Sequence, residues 1–215
     1  MRFAFCLIGF AFSGIASGAD DWQPLFNGKD LTGWRANNDP DSFAVKDGVI
    51  RVQASGNKAA HLFYVGDLKK GVEKFKNFEL EVTARSEPEA NSGIFIHTDV
   101  TANAKGHLDK GYEVQLNSTA KEKRKTGSLY AVVDRDTSPV DETKWFTVRV
   151  RVQDKRITVA IDGKEVVDYT EPAGVVRPKD RAGRLLSADG GGIALQAHDA
   201  KSVWYFKDIR VKHLP

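Results

Sequence analysis

The chain has 215 residues, with 32 Lys and Arg against 29 Asp and Glu, a formal net charge of +3 and 41% hydrophobic residues. That composition excludes intrinsic disorder and is long enough to bury a sizeable core. Charges so evenly mixed exclude a phosphate-backbone binder, so no nucleic acid partner is expected. Cys6 and Met1 are the only residues of their types, which excludes an intrachain disulfide, thiol catalysis and Cys-based zinc sites.

Met1-Arg2 forms a short positive start, Phe3 to Phe12 is almost wholly apolar, and Ser13 to Ala19 is rich in small residues ahead of Asp20-Asp21. This pattern predicts a cleaved secretory signal over residues 1–19 and a single domain over 20–215, exported to the periplasm or beyond. The apolar run is shorter than the roughly 20 residues of a membrane span, and no later segment replaces it.

From residue 43 onward, alternating runs rich in Val, Ile, Phe and Tyr predict strands. Phe43 to Lys46 and Val49 to Val52 flank Asp47-Gly48, the residue pair that a type I′ hairpin turn favours because both positions need positive φ. Strands follow at His61 to Val65, Phe78 to Arg85, Ser92 to Thr98, Gly111 to Leu116, Ser128 to Asp134 and Phe146 to Val152. A second Asp-Gly hairpin joins Arg156 to Ile161 with Lys164 to Tyr169, and Gly192 to His198 and Val203 to His213 close the chain. About a dozen strands exceed what one open sheet holds comfortably, so an all-β sandwich of two antiparallel sheets is predicted.

Alternation also assigns faces. In Gly111 to Leu116, Glu113 and Gln115 lie opposite Tyr112, Val114 and Leu116; in Ile193 to His198, Gln196 and His198 lie opposite Ile193, Leu195 and Ala197. If the two polar sides share one sheet face, Glu113, Gln115, Gln196 and His198 line a common groove.

Several ordered blocks carry a resemblance. Trp22 to Trp34, reading Trp-Gln-Pro-Leu-Phe-Asn-Gly-Lys-Asp-Leu-Thr-Gly-Trp, resembles the opening motif of the 3-keto-disaccharide hydrolase domain family. Phe75 to Leu80, Asn91 to Ile96, Gly111 to Gln115, Thr126 to Tyr130, Gly192 to His198 and Val203 to Val211 are similar to the family's later blocks, in the family's order. The resemblance implies a concanavalin-like jelly-roll sandwich with a carbohydrate groove on its concave face, and a small carbohydrate substrate already oxidised at carbon 3. Two positions depart from the family pattern: His97 stands where Arg is common, and Asn117 where Asp is common.

Ordinary glycosidases need two carboxyl groups at a controlled separation. The related laminarinase-type sandwiches carry Glu-x-Asp-x-Glu on one strand, whereas this chain has Glu79-Leu80-Glu81 and Glu113-Val114-Gln115. A 3-keto sugar allows another route, because the ketone acidifies the C2 proton: one base removes it, the C1 oxygen leaves, and water adds to the unsaturated product. Glu113 is the candidate base and His198 the candidate acid or enolate donor. Gln115, Gln196 and His97 are candidates to orient the sugar, with Tyr130 and Trp204 as candidate stacking surfaces.

Lys121 to Lys125 reads as a charged turn and a candidate rim of the groove. His61, His107 and His213 show no ligand spacing, so no transition metal or other obligatory cofactor is expected; a structural calcium held by loop oxygens stays open. The sequence leaves two functional alternatives, a 3-keto-glycoside hydrolase and a non-catalytic carbohydrate-binding module in which the same residues only hydrogen-bond sugar hydroxyls. A structural or adhesive sandwich is disfavoured by the recurrent polar pairs. No feature of the sequence sets an oligomeric state.

Overall fold

A computed structural model describes residues 21–215; the signal expected over residues 1–19 lies outside the described residues. Thirteen strands follow in order: β1 (Gln23–Pro24), β2 (Trp34–Ala36), β3 (Phe43–Lys46), β4 (Val49–Val52), β5 (Ala60–Tyr64), β6 (Phe78–Ser86), β7 (Asn91–Thr98), β8 (Tyr112–Asn117), β9 (Phe146–Gln153), β10 (Arg156–Ile161), β11 (Lys164–Thr170), β12 (Gly192–Ala197) and β13 (Trp204–His213). They form two antiparallel sheets. The larger, eight-stranded sheet runs β11-β10-β9-β6-β13-β4-β3 with β1 added beside β13, and the smaller runs β2-β5-β12-β7-β8. Among the described residues no helix is long and apolar enough to cross a membrane.

Both Asp-Gly hairpins form as the sequence predicts. Asp47 and Gly48 have φ of 51° and 77°, and Asp162 and Gly163 have 47° and 77°, the doubly positive geometry of a type I′ turn. Strict alternation along β6 buries Phe78, Leu80, Val82 and Ala84 while Glu79, Glu81, Thr83 and Arg85 stay partly open. Phe78, Leu80, Val82, Trp204 and Phe206 of the larger sheet join Ile94, Ile96, Tyr112, Val114, Leu116, Ile193 and Leu195 of the smaller one in a single apolar cluster between the layers.

A second, smaller cluster of Phe63, Val65, Phe95, Leu108 and Ala194 occupies the other face of the smaller sheet. Loops fold over that face, which is why β5, β7, β8 and β12 are buried along their whole length instead of alternating. This roofed outer face holds the groove.

The strand expected over Ser128 to Asp134 is instead a tight loop. Leu129 bridges both Val114 and Val133, the Ala131 N–H donates to Asp134 Oδ1 at 2.7 Å, and Ala131 has a φ of 59°. The Asp134 carboxylate closes the turn, so an apolar run doubles back on itself. The short strands β1 and β2 are too brief to leave an alternation in the sequence.

Candidate active site

Register places the site. Phe63 pairs with Ala194, Ala194 with Phe95, and Phe95 with Glu113, so these four residues form one row across β5, β12, β7 and β8. Next to it, Gln196 lies opposite His61 and Gln115 opposite Gly93. Gly93 matters by its missing side chain, because a Cβ there would sit 2.5 Å from Glu113 Oε1. The Glu113 carboxyl leans over β7 into that space.

A cavity of about 510 Å³ opens above this row, with Glu113, Gln115, Gln196, His198 and Tyr130 in its lining. The four residues that period 2 puts on one face thus line one cavity, and the candidate stacking residue Tyr130 joins them, so five of the seven candidates come together. Its size suits a sugar of one or two rings.

The wall also includes residues that the sequence reading did not single out, among them Arg184, Arg181, Asp109 and Asn91. Arg184 comes from the long connection between β11 and β12, and its side chain is 7% exposed. The Arg184 Nη2 lies 3.5 Å from Glu113 Oε2, and its guanidinium carbon stands 5.5 Å from the centre of the Phe95 ring. The connection is pinned at several points. The Gly111 N–H donates to Gly183 O at 2.9 Å, Arg177 Nε donates to Arg184 O at 3.1 Å, and the Leu186 N–H donates to Glu171 Oε2 at 2.7 Å. Gly183 passes so close to the Asp109 carbonyl that any side chain there would collide.

Burial pushes Glu113 up to about 7, against the attraction of Arg184 and Arg181. A carboxyl in that range can both take and return a proton near neutrality. Gln115 Nε2 donates to Asn91 Oδ1 at 3.0 Å. Gln115 Oε1, Gln196 Oε1, Arg184 Nη1 and Arg181 Nε are buried with no hydrogen-bond partner among the described residues. Each such orphan costs about 1–3 kcal/mol unless something polar meets it, and all four belong to residues that line the cavity.

His198 sits one residue beyond β12. Its Nδ1 is 2.8 Å from Asp199 Oδ2, and Asp199 also accepts from the Ser202 N–H and Oγ. Against a burial that acts the other way, these bonds hold Asp199 below the usual carboxylate range. The His198 ring centre lies 5.6 Å from that of His107, and burial, then His198, pushes His107 down. Burial drives His61 to about 3, so it stays neutral beside Gln196. Tyr130 lies beneath two cations, with the Arg124 and Arg181 guanidinium carbons 4.7 and 5.5 Å from its ring centre. Of the charged turn, Glu122 lines the cavity and Arg124 reaches it only through its contact with the Tyr130 ring.

Two candidates fall elsewhere. His97 takes a φ of 52°, which turns its ring off the groove face to stack on Phe78 at 6.1 Å. Its Nδ1 accepts from the Ser187 N–H at 3.2 Å and its Nε2 lies 2.9 Å from Lys76 O, so both ring nitrogens hold backbone. Trp204 is wholly buried between the sheets, with Phe206 and Phe146 each 6.3 Å away centre to centre, and offers no face to a sugar. Asn117, the other departure from the family pattern, is also structural: its Nδ2 donates to Glu122 O and Arg124 O and so shapes the charged turn. Among the described residues no three His, Cys, Asp or Glu side chains gather as a metal site.

The chain is 32% identical over 125 residues to the 3-keto-disaccharide hydrolase of Bacteroides thetaiotaomicron, an alignment spanning 56% of this chain and 40% of that protein. Its fold matches that of a Parabacteroides distasonis protein carrying a glycosyl hydrolase assignment, with a TM-score of 0.70 at 23% identity over 90% of this chain and 94% of that one. The carbohydrate-binding module CBM66 of Bacillus subtilis matches with a TM-score of 0.55 at 13% identity, over 85% and 96% of the two chains. The VIP36 exoplasmic domain, solved with Ca2+ and Man3GlcNAc, matches with a TM-score of 0.54 at 15% identity, over 88% and 90%. These likenesses are of fold. The model of the 3-keto-alpha-glucoside-1,2-lyase-like domain matches residues 21–212, so the two-sheet frame and the cavity above Glu113 are those of a chain that belongs to this family.

Proposed function

We propose that the protein is an exported enzyme that cleaves 3-keto-glycosides by elimination followed by hydration. The observation that carries this reading is Glu113, a buried carboxyl raised to about 7 at the floor of a polar cavity. In the first step the Glu113 carboxylate takes the C2 proton, and the electron pair of that bond forms the C2=C3 double bond as the ketone oxygen becomes an enolate. The ketone then reforms, a C1=C2 double bond appears and the C1–O bond breaks. His198, oriented by Asp199, supplies a proton to the departing oxygen. Water adds at C1 and gives up a proton to His198 while the Glu113 proton returns to C2, which restores both groups.

Gln115 and Gln196 orient ring hydroxyls through their free amide oxygens. Support for export comes from the signal-like pattern of residues 1–19. The test is release of the second sugar or aglycone from a 3-keto-glucoside and from its unoxidised parent. Wild type is expected to cleave the keto substrate alone, and Glu113→Gln to lose about 100-fold or more of kcat while staying folded. Sugar binding without product from either substrate would leave a binding module.

A further inference from the structure

We propose that Arg184 clamps the enediolate formed when Glu113 removes the C2 proton, and that the enzyme therefore favours substrates with a free 2-hydroxyl beside the ketone. The inference rests on the elimination reading and assigns to Arg184 the preference for 2-hydroxy over 2-deoxy 3-keto-glycosides.

The chemistry of the first step sets the shape to be bound. When C2 loses its proton, C2 and C3 become doubly bonded and the negative charge moves to O3. O2 and O3 then lie on neighbouring ring carbons, cis and in one plane. A guanidinium offers two parallel N–H donors in a plane, a match for such a pair of oxygens that a lysine ammonium lacks.

Arg184 is placed for this. Its guanidinium packs over Phe95, and Phe95 is the direct cross-strand partner of Glu113. Nη2 stands 3.5 Å from the Glu113 carboxylate, too far for a strong hydrogen bond. Nη1 is buried without a partner among the described residues. Neither donor is thus committed to a strong hydrogen-bond partner, and both belong to a guanidinium that lines the cavity beside the base. The charges balance as well: proton transfer neutralises Glu113 and places the negative charge on the enediolate, next to the same guanidinium. The buried site holds one cation and one anion before and after the step, so no unpaired charge is created.

The experiment compares wild type, R184K and R184Q on a 3-keto-glucoside and on its 2-deoxy counterpart with the same leaving group. R184K is expected to cost about 100-fold in kcat on the 2-hydroxy substrate and under about tenfold on the 2-deoxy one. Equal losses on the two substrates overturn the clamp. A binding arm needs no turnover and uses reductic acid, a planar cyclic enediol, against cyclopentanone. Wild type is expected to bind reductic acid at least about tenfold more tightly than cyclopentanone, and R184Q to lose that preference. Equal affinities in wild type overturn the proposal even where a variant fails to fold, as does a preference retained in folded R184Q. If wild type cleaves neither substrate, the elimination reading falls while the reductic acid measurement still decides the clamp.

Discussion

Glu113 combines two properties that oppose each other in stability and serve each other in chemistry. Burial raises it from 4.5 to about 7, net of attraction from Arg184 and Arg181 and repulsion from Glu122. The folded state therefore holds this proton more tightly than the unfolded chain does. Its stabilising contribution is fully present below pH 4.5 and is lost as pH rises through about 7. Urea unfolding at about pH 4.5 and pH 8 should accordingly show Glu113→Gln gaining on wild type as pH rises, by on the order of a few kcal/mol. A mutant-to-wild-type difference that does not move with pH contradicts the buried, raised carboxyl. Gly93 gives a second check on the same group. The Cβ of Gly93→Ala would meet Glu113 Oε1 at 2.5 Å and Cγ at 2.9 Å, so the carboxyl must leave its place. The expected result is a loss of at least about tenfold in kcat/KM for a stability cost of about 1–3 kcal/mol; unchanged kcat/KM would mean that the observed pose of Glu113 is not the working one. Glu113, Gln115 and Gln196 were legible in the sequence because side chains on a strand alternate with period 2. His97 was not: the same count puts it on the groove face, and a positive φ at that one residue turns it away.

At the scale of elements, strands carry the base and a loop carries its cation. The strands of the smaller sheet announce themselves by their apolar runs, whereas the connection from Thr170 to Gly192 has no period, and nothing in Arg181-Ala182-Gly183-Arg184 signals that Arg184 folds back over Phe95. What holds that connection is Glu171. Buried at 6% exposure, it accepts from Tyr112 Oη at 2.6 Å, from Lys155 Nζ at 2.8 Å and from the Leu186 N–H at 2.7 Å. Burial raises Glu171, but the bonds from Lys155, Tyr112 and Leu186 outweigh it and leave the group below 4.5. The sign is thus opposite to that of Glu113: its contribution is present above pH 4.5 and disappears as pH falls through the lowered value. Glu171→Gln should destabilise the protein by about 2–4 kcal/mol near neutrality and by less in acid, and should raise KM for the keto substrate as Arg184 loosens. Thermal unfolding across that pH range, with KM alongside, checks both; a stability loss that persists undiminished in acid would rule out the ionised Glu171 hub.

The whole molecule is two sheets with different duties. The larger sheet supplies one apolar face to the core, and the smaller is buried on both faces, by the core on one side and by the roofed groove on the other. This division explains why the sandwich was readable and the placement of Trp204 was not. Val203, Trp204, Tyr205 and Phe206 are all apolar or aromatic, so alternation has no polar position to report which side faces water. In the folded chain β13 lies in the middle of the larger sheet, between β6 and β4, and the parity that buries Phe206, Ile209 and Val211 takes Trp204 inward across the bulge near Asp208. The consequence separates frame from site. Trp204→Phe removes ring volume from the middle of the core together with an indole N–H that is buried without a partner among the described residues. Loss of packing should exceed the relief of that polar group, lowering stability by about 1–2 kcal/mol. Because the residue lies between the sheets and the cavity lies outside them, kcat and KM for the keto substrate should both stay within about twofold of wild type. Tyr130→Ala makes the contrasting case, since Tyr130 lines the cavity under Arg124 and Arg181: it should raise KM well beyond that margin. Unfolding curves and steady-state rates on the two variants decide the matter, and a rise in KM for Trp204→Phe equal to that for Tyr130→Ala would show that the two layers are not independent.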